Sequence, residues 1–106
     1  MKSFEIALDV GNLNSMTIPF SDYINVQVLL PNVAESPTLP ADARFILFSS
    51  TADFYARVNG TASVPSTDVT DGSASEINPT IRSLLGVTSL SLIAPANCTV
   101  SLSFYK

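Results

Sequence analysis

Period-two alternation constrains this chain more than any other feature, and it is clearest at the end, from Ser89 to Lys106, SLSLIAPANCTVSLSFYK. Cys98, Val100, Leu102 and Phe104 fall on one side of an extended backbone, and Thr99, Ser101, Ser103 and Tyr105 on the other. Leu90 and Leu92 extend the apolar set from the preceding run, with Ala-Pro-Ala-Asn as the connection. A helix repeats its faces every ~3.6 residues and would scatter these positions around its circumference.

Similar runs recur upstream. Phe4, Ile6, Leu8 and Val10 share a side before Gly11-Asn12; Met16, Ile18 and Phe20 follow, with Pro19 confining that run to an edge or strand end. Ile24, Val26, Val28 and Leu30 form an apolar side, which sets Tyr23, Asn25 and Gln27 outward together with Leu29. Arg44 to Ser50 is apolar on both sides, as in a central or covered strand. Phe54, Ala56 and Val58 alternate against Tyr55 and Arg57, and Asn59-Gly60 predicts a two-residue hairpin turn returning through Ala62 and Val64.

Two stretches read as loops: the proline-rich segment 31–42, with Pro31, Pro37 and Pro40, and STDVTDGSASE. NPTIRSLLG predicts a short helical turn over 79–85. There Asn78 would cap, Pro79 suits the first position, Ile81 is spaced to meet Leu84 and Leu85, and Gly86 would end the turn. About eight short strands with one buried face predict a single all-β domain over 1–106. The leading architecture is an antiparallel β-sandwich of jelly-roll type, and a small closed barrel comes second.

Composition narrows function. The 106 residues are 46% hydrophobic and 13% charged, against about 25% charged in a typical domain. This is a chain with enough apolar side chains for a core, and disorder is not expected. The net charge of -4 would repel a phosphate backbone, so no nucleic-acid partner is expected. No run reaches the roughly 18 apolar residues of a membrane span, and Glu5 interrupts what would be the apolar part of an export signal. The lone Cys98 precludes an internal disulfide and, in phase with Val100, reads as a small buried hydrophobe.

Catalytic apparatus is sparse. The sequence has no histidine, so Ser-His and Cys-His pairs are impossible and the commonest metal ligand is missing. No nucleophile elbow, phosphate-binding glycine loop or Cys-x-x-Cys occurs. Asp68, Asp71 and Glu76 flank Gly72, but their spacing does not supply the six to eight oxygens of a typical calcium site and reads as turn chemistry. Asn59 and Asn97 sit in glycosylation acceptor patterns that turn chemistry also explains. No enzyme activity and no cofactor are expected.

A contact surface fits better. Between Arg82 and Lys106 no residue is charged, although exposed sheets usually carry Lys or Glu. Thr99, Ser101, Ser103 and Tyr105 therefore form a candidate interface. Tyr55 with Arg57, and Tyr23 beside Asn25 and Gln27, are further candidates.

FSSTADFYARVNG, VPSTDVTDGSASEINPTIRSL and GVTSLSLIAPANCTVSLSFYK, together spanning about Phe48 to Lys106, resemble small structural proteins of tailed bacteriophages. These include decoration or cement subunits on the capsid and other minor virion components. The resemblance implies a non-enzymatic protein made in the bacterial cytoplasm and carried in the virion. Its partner would be the major capsid protein or another virion protein, and it would be a homo-oligomer. An N-terminal arm or the 31–42 loop could reach a neighbour. A head-tail connector or tail component is one alternative. A carbohydrate- or receptor-binding fibre module using Tyr23, Tyr55 or Arg57 is another.

Overall fold

The structure, a computed structural model, describes the backbone at 5–8 and 14–17 and all of residues 19–106. It is all-β, and no helix occurs among the described residues. β1 (Glu5–Leu8) and β2 (Asn14–Thr17) pair antiparallel as a two-stranded sheet. The expected break at Gly11-Asn12, and Phe4, Val10 and Ile18, lie outside the described residues.

The remaining strands are β3 (Tyr23–Leu29), β4 (Phe45–Ser50), β5 (Tyr55–Val58), β6 (Glu76–Ile77), β7 (Ile81–Ser83), β8 (Leu90–Ile93) and β9 (Cys98–Tyr105). They form a four-stranded sheet in the order β3-β9-β4-β7 and a three-stranded sheet in the order β6-β5-β8, antiparallel throughout. The inner faces of both sheets feed one core. Ile46, Phe48, Val100, Leu102 and Phe104 come from the larger sheet and Ala56, Leu90 and Leu92 from the smaller, with Phe54 just ahead of β5. The Phe48 and Phe54 rings meet with centroids 5.7 Å apart, and each fully buried side chain of this size contributes roughly 1.5–3 kcal/mol.

The strongest sequence pattern maps directly. β9 spans the predicted Cys98–Tyr105, with Cys98, Val100, Leu102 and Phe104 buried. It sits between β3 and β4, where a long alternating strand can satisfy backbone groups on both edges. Cys98 is buried, and its Sγ lies 3.3 Å from the Ala52 carbonyl oxygen.

The 31–42 stretch contains no regular strand, as its prolines dictate by withholding N–H groups. It still crosses to the smaller sheet. Glu35 and Leu92 exchange backbone hydrogen bonds of 2.8 Å each way, and Asn32 N donates to Ala94 O at 2.8 Å, so this segment lies along the edge of β8.

Three expectations are corrected. The helical turn at 79–85 is instead β7, pairing Leu47↔Ile81 and Phe45↔Ser83. A helix of under two turns cannot offset its nucleation cost, whereas β7 satisfies an otherwise open edge of β4. Asn78, at φ 46, lies outside the extended region a helix cap adopts. Its side chain instead ties Phe54 N, at 3.0 Å, to Asp53 Oδ1, at 2.9 Å.

The Asn59-Gly60 hairpin is also absent. Asn59 has φ 55, but Gly60 is not among the positive-φ glycines, and β5 pairs with β6 and β8, not with 62–64. Asn59 serves a distant chain segment. Its Oδ1 accepts from Thr88 N (2.7 Å) and Thr88 Oγ1 (2.9 Å), and its Nδ2 donates to Gly86 O (3.1 Å).

The third correction concerns β3. Tyr23, Asn25, Gln27 and Leu29 lie opposite Phe104, Leu102, Val100 and Cys98, on the core side of the sheet. Leu29 is fully buried, while Ile24, Val26 and Val28 point outward and are 52%, 58% and 62% exposed. The strand is inverted relative to its apolar side because β9, with four buried inward residues, fixes which face meets the core.

Candidate interface

The outer face of the four-stranded sheet follows from these registers. Ile24, Ser103, Leu47 and Ile81 form one row across the strands, Val26, Ser101 and Ser49 the next, and Val28 with Thr99 a third. None of these side chains is charged. Hydroxyl groups run down the middle along β9, and aliphatic groups flank them on β3, β4 and β7.

Thr51 N donates to Thr99 O, and Thr99 N donates to Thr51 Oγ1, both at 3.0 Å, which prolongs the β4–β9 pairing. Among the described residues, the Ser101 and Ser103 hydroxyls have no intramolecular hydrogen-bond partner. Both are half-buried. A protein partner that supplied donors or acceptors could cover them with little desolvation loss.

The residues singled out from sequence divide among several surfaces. Thr99, Ser101 and Ser103 stay together on this face. Tyr105 is in phase with them but is buried, its hydroxyl donating to Pro19 O at 2.7 Å, so its phenol is not on offer to a partner. Tyr23 lies on the core side of β3 at the sheet edge and packs edge-to-face on Phe104, centroids 5.8 Å apart. Just ahead of its strand, Ser21 Oγ accepts from Tyr23 N at 3.1 Å and donates to the Phe104 carbonyl.

Tyr55 and Arg57 belong to the other sheet, opposite Ile93 and Ser91. That face is partly covered: Ala62 is buried and donates its N–H to Ser91 Oγ at 2.9 Å. Gly60 packs so closely on Arg57 that a Cβ there would lie 2.8 Å from Nε.

Ile24, Val26 and Val28, the most exposed apolar members of the uncharged face, were not singled out from sequence. Alternation alone does not say which side of a strand is buried. The available signal was the uncharged run from Tyr23 to Ala34.

A cavity of about 330 Å³ opens between the sheets, floored by Ile46, Phe48, Ala56 and Leu90. The Glu76–Arg82 pair lines it, with Arg82 Nε donating to Glu76 Oε1 at 3.1 Å and Nη2 to Oε2, and this contact raises the Arg82 pKa above its ordinary value. Asp71 accepts from Ser73 Oγ at 2.6 Å and from Ser73 N at 3.1 Å, which holds its carboxyl below the usual range. These are the contacts of an Asp-Gly turn, with Gly72 at φ 88. No group of metal-ligating side chains occurs among the described residues.

Comparison with models of known protein families gives no match, and neither the curated proteins nor the solved structures contain a significant one.

Proposed function

We propose that this chain is a non-enzymatic structural protein of a tailed-bacteriophage virion. It is a decoration or cement subunit that binds a protein lattice through the outer face of its four-stranded sheet. The observation that carries the reading is that face itself: exposed Ile24, Val26 and Val28 beside the hydroxyls of Ser101 and Ser103, with no charge among them. Soluble surfaces usually intersperse charges, and an apolar patch free of them marks a protein contact.

Connectivity supports a jelly-roll sandwich. Numbering the extended segments from β3, with the Glu35 stretch as the second, the sheets read first, eighth, third, sixth and second, seventh, fourth, fifth. That is the strand order of a jelly roll, an architecture used by capsid and lectin domains alike. Because fold does not imply function, the weight rests on the uncharged face.

The protein is synthesised in the host cytoplasm and carried in the particle, with the major capsid protein or another virion protein as its partner. For the sugar-binding alternative, Tyr55 and Arg57 share one side of β5, while Tyr23 lies on the other sheet. The test is mass spectrometry of purified particles together with co-sedimentation of the protein with capsids. The reading predicts incorporation and saturable binding; absence from particles together with no affinity for capsids overturns it.

A further inference from the structure

β3 is the outermost strand of its sheet, and its register with β9 runs unbroken from Tyr23↔Phe104 to Leu29↔Cys98. Thr51 N bonds Thr99 O, and Arg44 N bonds Tyr105 O, so the odd-numbered residues of β9 direct their carbonyls at β4. Alternation then turns the even-numbered residues toward β3, opposite Asn25 and Gln27. Ile24, Val26 and Val28 consequently aim N–H and C=O away from the sheet. Among the described residues they form no backbone bond to another element.

Open edges are normally guarded by Lys, Pro, a bulge or a covering segment. The Tyr-Ile-Asn-Val-Gln-Val-Leu run of β3 has no charge, no proline and no bulge. It also reads nearly alike in both directions about Val26. The amides Asn25 and Gln27 flank the centre, the β-branched Ile24 and Val28 come next, and the large Tyr23 and Leu29 lie at the ends.

We propose that β3 pairs antiparallel with β3 of a second copy of this chain about a two-fold axis at Val26. This joins the two four-stranded sheets into one. Val26 then faces its own counterpart, and Ile24 faces the second copy's Val28. The three outward-pointing residues exchange about six backbone hydrogen bonds in all. The inner rim matches amide with amide, and the outer rim β-branched with β-branched. Isologous pairing of this kind closes as a dimer and leaves no edge of β3 open.

The near-symmetry of β3 about Val26 singles out a second copy as the occupant, and local charge does not oppose it despite the net charge of -4. The charges nearest in sequence to β3 are Asp22 and Glu35, both outside the strand. Antiparallel pairing puts the two Asp22 carboxylates at opposite ends, roughly 27 Å apart and well past the screening length. The edge alone covers roughly 300–400 Å² per copy, short of the ~800 Å² of a standard interface. The dimer is therefore reversible and concentration-dependent. It doubles the uncharged face offered to a lattice.

This makes specific the homo-oligomer that the resemblance to virion proteins implies, yet its test needs no virion. Val26→Cys places two thiols on a hydrogen-bonded pair with Cα atoms about 5.5 Å apart, inside the range a disulfide spans. Ile24→Cys thiols on two copies lie roughly 14 Å apart and cannot bridge, but Ile24→Cys mixed with Val28→Cys can. The buried Cys98 of the wild type sets the background.

Under mild oxidation of the purified full chain, Val26→Cys is expected to cross-link about tenfold faster than Ile24→Cys alone, through its higher effective concentration. An equal Ile24→Cys plus Val28→Cys mixture should cross-link at about half that rate, because only its unlike dimers place two thiols face to face. Equal rates at all three positions, or fastest self-cross-linking of Ile24→Cys, overturns the pairing. In sedimentation, Val26→Lys should be monomeric with an unchanged circular dichroism spectrum, and mixing it with Val26→Glu should restore a dimer. A dimer that survives Val26→Lys refutes the proposal. Failure here removes the dimer and leaves lattice binding to be judged on particles; failure on particles leaves the dimer standing.

Discussion

Val26 and Leu29 lie in the same strand, yet the structure assigns them opposite fates. Leu29 is fully buried in the core cluster and Val26 is 58% exposed. Leu29→Ala removes a buried isobutyl group and leaves a cavity, a change that costs about 2–5 kcal/mol. Taking about 3 kcal/mol, and 4–8 °C per kcal/mol for a domain of this size, the melting temperature should fall by roughly 12–24 °C. Val26→Lys exchanges one exposed side chain for another, so its cost stays under about 1 kcal/mol, most of it β-propensity. The assay is urea unfolding followed by circular dichroism, at a concentration low enough to keep the chain monomeric. If Ile24, Val26 and Val28 instead faced the core, Val26→Lys would bury an ammonium group and unfold the protein. A Val26→Lys variant as unstable as Leu29→Ala would therefore refute the assigned orientation of β3 and with it the exposed apolar face.

Other predictions test the supports of the fold. Asn59→Ala should lose about 1–2 kcal/mol by orphaning the 86–89 segment, and Asn59→Gly, which keeps the positive φ without the carboxamide, should recover only part of it. Asp71 has a depressed carboxyl pKa, so the contribution of its turn is present above the ordinary carboxylate pKa and is lost as pH falls through the folded value, below about pH 4. Carboxyl NMR titration should show the Asp71 midpoint rising in Ser73→Ala, which removes the hydroxyl donor and keeps the backbone one; an unmoved midpoint rejects the Ser73 hydroxyl as a cause. Arg82→Ala should cost no more than about 1 kcal/mol, and less at high salt, because both partners of the pair with Glu76 are half-exposed.

Much of the fold was legible because alternation is a local property. β9 and β4 could be placed within a residue, and the proline-rich connection was evident from the missing N–H groups of Pro31, Pro37 and Pro40. The orientation of β3 was not legible, because both of its sides carry large residues and only the pairing with β9 decides which is buried. Asn59-Gly60 misled for a related reason: the same carboxamide that favours a tight turn also bonds a chain segment far away in sequence. At 79–85 the capping residues favoured a helix, but a strand partner for β4 outweighed local propensity. The uncharged outer face was legible at Thr99, Ser101 and Ser103, where the absence of charge carried the signal. It was not legible at Tyr105, whose burial depends on the carbonyl of Pro19 at the far end of the chain.

The outer face of the four-stranded sheet as a lattice contact is tested most directly by Ser101→Lys combined with Ser103→Lys. Both lysines would stand in the middle of the uncharged face, where a folded monomer can hold their ammonium groups in water. The measurement is the copy number of this variant, relative to wild type, in purified particles quantified by mass spectrometry, with folding checked by circular dichroism. A folded variant missing from particles is the predicted result. Incorporation at the wild-type level would contradict the account and leave the face an ordinary solvated surface.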